Sequence, residues 1–311
     1  MALLSSGSAS ALFAPGPWMA RLRASLEKEN VAGWILIVPA ALILAIFIAY
    51  PLLLGVWFSL TDKMIGGVTE RFVGLRNFQL LLSDSIFLQT VRNTLIYTAV
   101  TVSVKAVLGM ALALLMNQIF PLKNLVRAAL LLPWIVPTAL STLAWLWIFD
   151  PNFSVLNWFL VNVFHASRIA WLSDATLAMG AIITVNVWRG VPFFAISLLA
   201  GLQVISQELY EASSIDGANA VKRFWFITLP LVRPVLLLVV LFSLIWTIAD
   251  FQLIHILTRG GPVNSTHVFG TYAYQTSVLS AQLGQGAAIS LYMLPLLFVC
   301  IAVVLRYIHK E

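Results

Sequence analysis

Residues 31–60 read VAGWILIVPAALILAIFIAYPLLLGVWFSL, thirty positions without an Asp, Glu, Lys, Arg or His. A helix needs about 20 predominantly apolar residues to cross the hydrocarbon of a bilayer, and more when it tilts. Five further runs of similar size follow. Residues 93–116 carry one charge, Lys105; 125–149 carry Arg127 at the edge; 175–205 carry only Arg189; 231–257 carry Arg233 near the start and Asp250; 286–305 carry none. These runs predict an all-α fold, a polytopic membrane protein with six transmembrane helices. An even number of crossings places both termini on one side.

Composition excludes an ordinary soluble enzyme. Hydrophobic residues make up 61% and charged residues 10% of the 311 positions, against about 45–50% and about 25% in soluble domains. With a mean hydropathy of +0.96, there is too little polar side chain to coat a water-facing surface. The net charge of +6 is spread over scattered basic residues with no Lys/Arg run longer than two, so it is no nucleic-acid footprint. It fits a membrane protein that keeps positive charge on one face. The flanks on the side of the termini hold Arg21, Arg23, Lys28, Lys123, Arg127, Lys222, Arg223, Arg233, Arg306 and Lys310. The opposite flanks hold only Lys63, Arg71, Arg76, Arg92, Arg168 and Arg259, offset by Asp62, Glu70, Asp84, Asp150 and Asp174. Both termini are therefore expected in the cytoplasm.

Residues 1–30 read as a cytoplasmic N-terminal lead able to form an amphipathic helix, and 31–311 as one transmembrane domain. The lead is not read as a cleavable signal, because no positive charge precedes the mildly apolar residues 2–14, whereas Arg21 and Arg23 follow them. The single cysteine, Cys300, sits in an apolar run, and His165, His255, His267 and His309 make no ligand spacing, so no metal is assigned. Eight of the thirteen prolines (Pro39, Pro51, Pro133, Pro137, Pro192, Pro230, Pro234 and Pro295) lie in or at the edges of the spans. Each removes a helix hydrogen bond, which lipid tolerates where neighbouring helices or a water-lined cavity satisfy the freed carbonyl. Membrane helices carry extra proline in any case.

The cytoplasmic stretch 206–230 is the most informative loop. It opens SQELYEASSIDG over 206–217. Ser206 is a helix cap, Glu208 and Glu211 sit early where the helix dipole favours acids, and Gly217 suits the left-handed turn after a helix. A short polar helix is thus expected between the fourth and fifth spans, able to transmit force from a soluble partner. Glu211-Ala212-Ser213, three residues, Gly217, nine residues, Ile227, one residue and Leu229-Pro230 resemble the "EAA" loop of permease subunits of binding-protein-dependent ABC importers. Ser213 in place of the usual second Ala is the one departure.

The resemblance runs from Pro39 onward. Tyr50-Pro51 with Ser59-Leu60, the FVGLRNF of 72–78, Asn93-Thr94, Leu132-Pro133, the WRGVPF of 188–193, Ala200-Gly201-Leu202 and the LTRGGP of 257–262 resemble the carbohydrate-uptake branch. The Gly-Gly-Pro after the fifth span is similar to the maltose-type and glycerol-3-phosphate-type first permease. The resemblance implies a type I permease fold and a coupling helix seated in a groove of an ATP-binding subunit. The ATPase-coupling residues would be Glu211, Ala212, Ser213, Asp216, Gly217, Ile227, Leu229 and Pro230. It also implies a second permease subunit that is a different chain, two copies of the ATP-binding subunit, an extracytoplasmic solute-binding protein, and residence in a bacterial or archaeal inner membrane. ATP and Mg would belong to the ATPase subunit, and this chain would carry no cofactor and no catalytic residue. The sequence agrees in having no Gly-Lys dipeptide, so no Walker loop can be built from it.

Charge inside a membrane marks a functional site by default, and Lys105, Arg189 and Asp250 lie within spans. They can point into a shared cavity, pair with one another or contact a partner permease. Sugars combine hydroxyls with flat C–H faces, so a path for them needs hydrogen-bonding groups and aromatic platforms. The expected path residues are Trp188, Arg189, Phe193, Asp250, Phe251 and Gln252, with Phe194 beside them. The function this supports is the transmembrane half of an ATP-driven sugar importer, with glycerol phosphate or another polar solute as alternative cargo. An ion-coupled secondary transporter is the alternative class, but it calls for inverted repeats and midplane ion ligands, and neither repeat nor carboxylate cluster is visible. A membrane-embedded enzyme ranks third, with neither His-Glu-x-x-His nor Gly-x-Ser-x-Gly present.

Overall fold

A computed structural model describes residues 29–118 and 121–308. The lead over residues 1–28, with Arg21, Arg23 and Lys28, lies outside the described residues, as do His309 and Lys310. The chain divides into two compact units, residues 1–57 and 58–311. Among the described residues the structure is helical, with one isolated bridge between Thr61 and Phe72.

In the first unit, α1 (Glu29–Leu44) runs through a π-helical turn (Ala45–Ala49) into α2 (Tyr50–Ser59). The wider turn has a local cause. Pro51 would clash with the carbonyl four residues back in an ordinary helix, and the Tyr50 amide ahead of it bonds five back, to the Ala45 carbonyl. The same device recurs at Phe224–Thr228, where the Leu229 amide reaches the Phe224 carbonyl just before Pro230.

In the second unit come α3 (Arg76–Leu82) and α4 (Ser85–Asn117), the longest helix among the described residues. The Asp84 carboxylate caps α4 at the Ile86 amide (2.9 Å) and accepts a hydrogen bond from the Tyr272 hydroxyl. Asn77 donates to the carbonyls of Ser59 and Thr61, both at 2.8 Å, and so ties α3 to the chain entering the loop.

The run expected as one span over 125–149 is two helices, α5 (Lys123–Ile135) and α6 (Thr138–Ile148), which meet at 90°. The residue before a proline is disfavoured in helical conformation, and Val136, ahead of Pro137, is extended with ψ 131°. The loop after α6 carries α7 (Val155–Asn162), capped by Ser154 and pinned by Asn157, which bonds Pro151 and both sides of Ile169. The Asp150 carboxylate accepts from the backbone amides of Phe153 and Asn152, which hold its pKa below the usual carboxylate range.

α8 (Ala175–Gln203) starts at Asp174, whose carboxylate caps the amides of Thr176 and Leu177. Then come α9 (Gln207–Ile215), α10 (Ala220–Arg223), the second π turn and α11 (Leu229–Ile248). The run expected over 231–257 is interrupted: α11 ends at Ile248, and α12 (Gln252–Leu257) begins after a three-residue break that contains Asp250. α13 (Phe269–Tyr274), a third π turn (Gln275–Leu279) and α14 (Leu283–Ile308) complete the described residues. Among the described residues, five helices are thus long and apolar enough to cross a membrane, six if the bent pair counts as one.

The core is organised on α4 and α8, the most extensive helix pairing. Val102, Met110, Ala113 and Met116 of α4 meet Phe194, Leu198, Leu199 and Leu202 of α8, with Val232 and Val239 of α11 closing the cluster. Two glycines permit the approach. A Cβ on Gly109 would lie 2.3 Å from the Phe194 Cβ, and one on Gly190 would lie 2.7 Å from the Lys105 side-chain carbons.

Candidate functional site

The intramembrane charges lie in one place. A cavity of about 280 Å³ opens between α4, α5, α8 and α11, lined by Lys105, Trp134, Asn186, Arg189, Gly190, Phe193, Phe194, Ser243, Trp246, Thr247 and Asp250. That is the volume of about nine waters at about 30 Å³ each. Its residues enter at helical spacing. Asn186, Arg189, Gly190 and Phe193 stand at i, i+3, i+4 and i+7 of α8, and Ser243, Trp246, Thr247 and Asp250 repeat that spacing on α11 and past its end.

One wall is aromatic. Trp134 stacks on Phe193 with ring centroids 5.0 Å apart and planes inclined by 17°, and Trp246 packs against both at 5.5 and 5.2 Å. The other wall is polar. The Tyr97 hydroxyl donates to Asp250 Oδ2 at 2.7 Å, and the Asn186 amide donates to the same oxygen at 2.8 Å and to the Tyr97 hydroxyl at 2.6 Å. Asp250 sits in the break after α11, where the helix no longer occupies its backbone groups and its carboxylate can turn inward. Lys105, its stem lying over Gly190, donates to Ser243 Oγ and Thr247 Oγ1, each at 3.3 Å. Among the described residues no ion pair joins Asp250 to Lys105 or Arg189. Of the arrangements the sequence left open, the structure shows a shared cavity. Arg189 Nε and Asn186 Oδ1 are buried without a hydrogen-bond partner.

Of the expected path residues, Arg189, Phe193 and Asp250 are brought together here, with Phe194. Trp188 is one position out of phase, so it faces the other way. It lines a separate apolar groove with Leu108, Leu112 and Pro192, edge-on to Trp145. Phe251 stacks on His255 and packs on Tyr274, and Gln252 is exposed at the start of α12. Sequence reading missed Trp134, Asn186, Ser243, Trp246 and Thr247; the repeated i, i+3, i+4, i+7 spacing is the signal that points to most of them.

The second element is α9. Ser206 caps it at the Glu208 amide (3.3 Å), and no residue of the helix is buried. Glu211, Ala212 and Asp216 are exposed, and Ser213 is turned onto its own helix by a bond to the Tyr210 carbonyl. Gly217 has φ +77°, and the Ala218 amide returns to the Ser213 carbonyl at 2.9 Å, closing the helix end. Two side-chain links tie α9 to the root of α11: Tyr210 to Thr228 at 2.9 Å, and Arg223 to Ser214 at 3.1 Å. Ile227 lies in the π turn, Leu229 packs against the core cluster and Pro230 sits in the first turn of α11. Replacing Tyr210 by Phe removes one link worth about 0.5–1.5 kcal/mol. Uptake by the intact transporter should fall several-fold while membrane insertion, read by membrane fractionation and immunoblot, stays unchanged.

A multi-span helical bundle with a charged cavity in its interior and an exposed helix linked to one span defines a membrane permease. The chain belongs to the family described as "Binding-protein-dependent transport system inner membrane component", whose model matches residues 105–310. It is thus a multi-pass inner-membrane permease subunit of ABC importers, without catalytic function of its own. It is 35% identical over 284 residues to the sulfoquinovosyl glycerol transport system permease protein SmoG of Agrobacterium fabrum, covering 91% of this chain and 92% of that protein. It is 35% identical over 264 residues to the trehalose/maltose transport system permease protein MalF of Thermococcus litoralis, covering 85% and 89%. Its fold matches a chain in the crystal structure of a bacterial ABC transporter involved in import of the acidic polysaccharide alginate. That match has a TM-score of 0.80 at 20% identity and covers 93% of this chain and 99% of the other.

Proposed function

We propose that this chain forms one half of the translocation path of an ATP-driven sugar importer, with the cavity as its substrate-facing part and α9 as the helix that receives motion from an ATP-binding subunit. The observation that carries this is one continuous helical route between the two elements. Thr228, bonded to Tyr210 of α9, and Thr247, at the cavity, lie 19 residues apart along the same helical segment, about 28 Å at 1.5 Å per residue. A push on α9 is therefore delivered along α11 to the cavity wall. ATP and Mg belong to the ATP-binding subunit, present in two copies. A second permease of a different sequence supplies the other half of the path, and an extracytoplasmic binding protein delivers the solute. α9 and both termini face the cytoplasm, in keeping with the excess of basic residues on those flanks. The relatives named for sugars and glycosides support the substrate class. ATP drives the cycle only by favouring one of the two cavity orientations over the other.

The test is an affinity pull-down of the tagged chain from gently solubilised native membranes, crosslinked beforehand, with every co-purifying protein identified by mass spectrometry. A Walker-motif ATPase and a second permease with its own EAA loop are expected in stoichiometric amounts. Recovery of the chain alone or as a self-dimer would overturn the assignment and bring the ion-coupled transporter forward.

A further inference from the structure

The cavity holds more positive charge than its own walls balance. Arginine remains protonated wherever it is placed. Arg189 is partly buried in the membrane interior, its Nε is shielded without a hydrogen-bond partner, and no ion pair reaches it among the described residues. Lys105, buried, meets only the hydroxyls of Ser243 and Thr247. Against these two cations stands one carboxylate, and its Oδ2 is already engaged by Tyr97 and Asn186. A desolvated charge without a partner costs several kcal/mol. A membrane cavity kept in that state is poised for a group that arrives carrying the opposite charge.

We propose that the cavity is selective for an acidic sugar, a monosaccharide unit bearing one carboxylate, sulfonate or phosphate, with that anion held by Arg189 and Lys105. The inference rests on the sugar-path reading above and adds the charge of the cargo. A guanidinium matches the paired oxygens of a carboxylate or phosphate. The aromatic wall of Trp134, Phe193 and Trp246 stands ready for the flat C–H face of the ring. Asn186 Oδ1, buried and unpartnered, is an acceptor for a sugar hydroxyl. Asp250 cancels one cation and leaves an excess of positive charge, which is why the cargo carries a single anionic group.

The experiment uses the complex that co-purifies with this chain, in lipid nanodiscs without the binding protein, so that only the membrane site is read. Radiolabelled glucose, glucuronate and glucose 6-phosphate are titrated by equilibrium dialysis against the wild type and Arg189→Gln. The expected result is at least tenfold tighter binding of glucuronate or glucose 6-phosphate than of glucose, weakening with salt, and loss of that advantage in Arg189→Gln, read as the ratio of acid to glucose affinity within each protein. Comparison of the two acids tells carboxylate from phosphate preference. The proposal is overturned if glucose binds as tightly as the acids, if neither acid binds, or if the advantage survives Arg189→Gln. It is also overturned if Arg189→Gln loses complex yield and leaves the ratio unchanged, because the counter-charge is then an acid of the partner permease. Failure of the importer reading shows separately, as the absence of an ATPase from the purified complex.

Discussion

Replacing Gly217 by Val should abolish uptake while the complex still assembles. The residue closes α9 with φ +77°, and a Cβ there would meet nothing within 4 Å, so the cost is conformational and not steric crowding from outside. A left-handed backbone costs about 1–2 kcal/mol for an ordinary residue, and more for a β-branched one. The strain is relieved most cheaply by unwinding the end of α9, which breaks the Ala218–Ser213 return and displaces Ser214 from Arg223. Uptake of labelled substrate in whole cells should fall by at least tenfold, with the ATPase still recovered in the pull-down. Gly217→Asn, whose residue tolerates the left-handed region, should keep most of the activity. Unimpaired uptake in the Val variant would remove α9 from the coupling route.

Asp250→Leu should be the most damaging change in the cavity. It leaves the Tyr97 hydroxyl and the Asn186 amide, both at buried residues, without their shared acceptor. Each orphaned donor costs about 1–3 kcal/mol. A drop in the thermal midpoint of the purified complex and loss of uptake are expected together. Asp250→Asn keeps an acceptor oxygen at the same place, so it should restore the midpoint while leaving transport impaired. If both variants transport normally, the carboxylate is not part of the path.

Much of this arrangement is legible in the amino-acid order, and what escapes it has physical causes. The apolar runs are read from length and charge alone, and the short helix over 206–217 from its cap, its acids and its glycine. The 90° bend between α5 and α6 is less legible. Pro137 announces a break but not its angle, which depends on how α6 packs against α12 and on nothing local. The cavity is half legible. Polar residues at helical spacing within apolar runs mark Asn186 with Arg189, and Ser243 with Thr247 and Asp250, and phase alone separates Arg189 from its neighbour Trp188. Phe251 and Gln252 lie past the end of α11, where helical phase no longer predicts direction. Trp134 comes from a different element, and only tertiary packing brings it to Phe193.

The two glycine contacts between α4 and α8 have a mechanical corollary. Lys105 over Gly190 is a flexible stem that can yield, but Gly109 is seated against the Phe194 Cβ and the Ala195 backbone, so α4 and α8 resist sliding there, and close-packed interiors do not yield continuously. Under the proposed coupling, the pair would act as a strut and α11 as the lever working against it. Under that reading, the cavity walls on the strut would keep their spacing and those on the lever would travel. Arg189 and Lys105 ride on the fixed side; Trp246 and Asp250 ride on the moving one. Opening the site would then move Trp246 and Asp250 away from Phe193, Arg189 and Lys105, parting the aromatic wall itself and loosening the hold on the cargo.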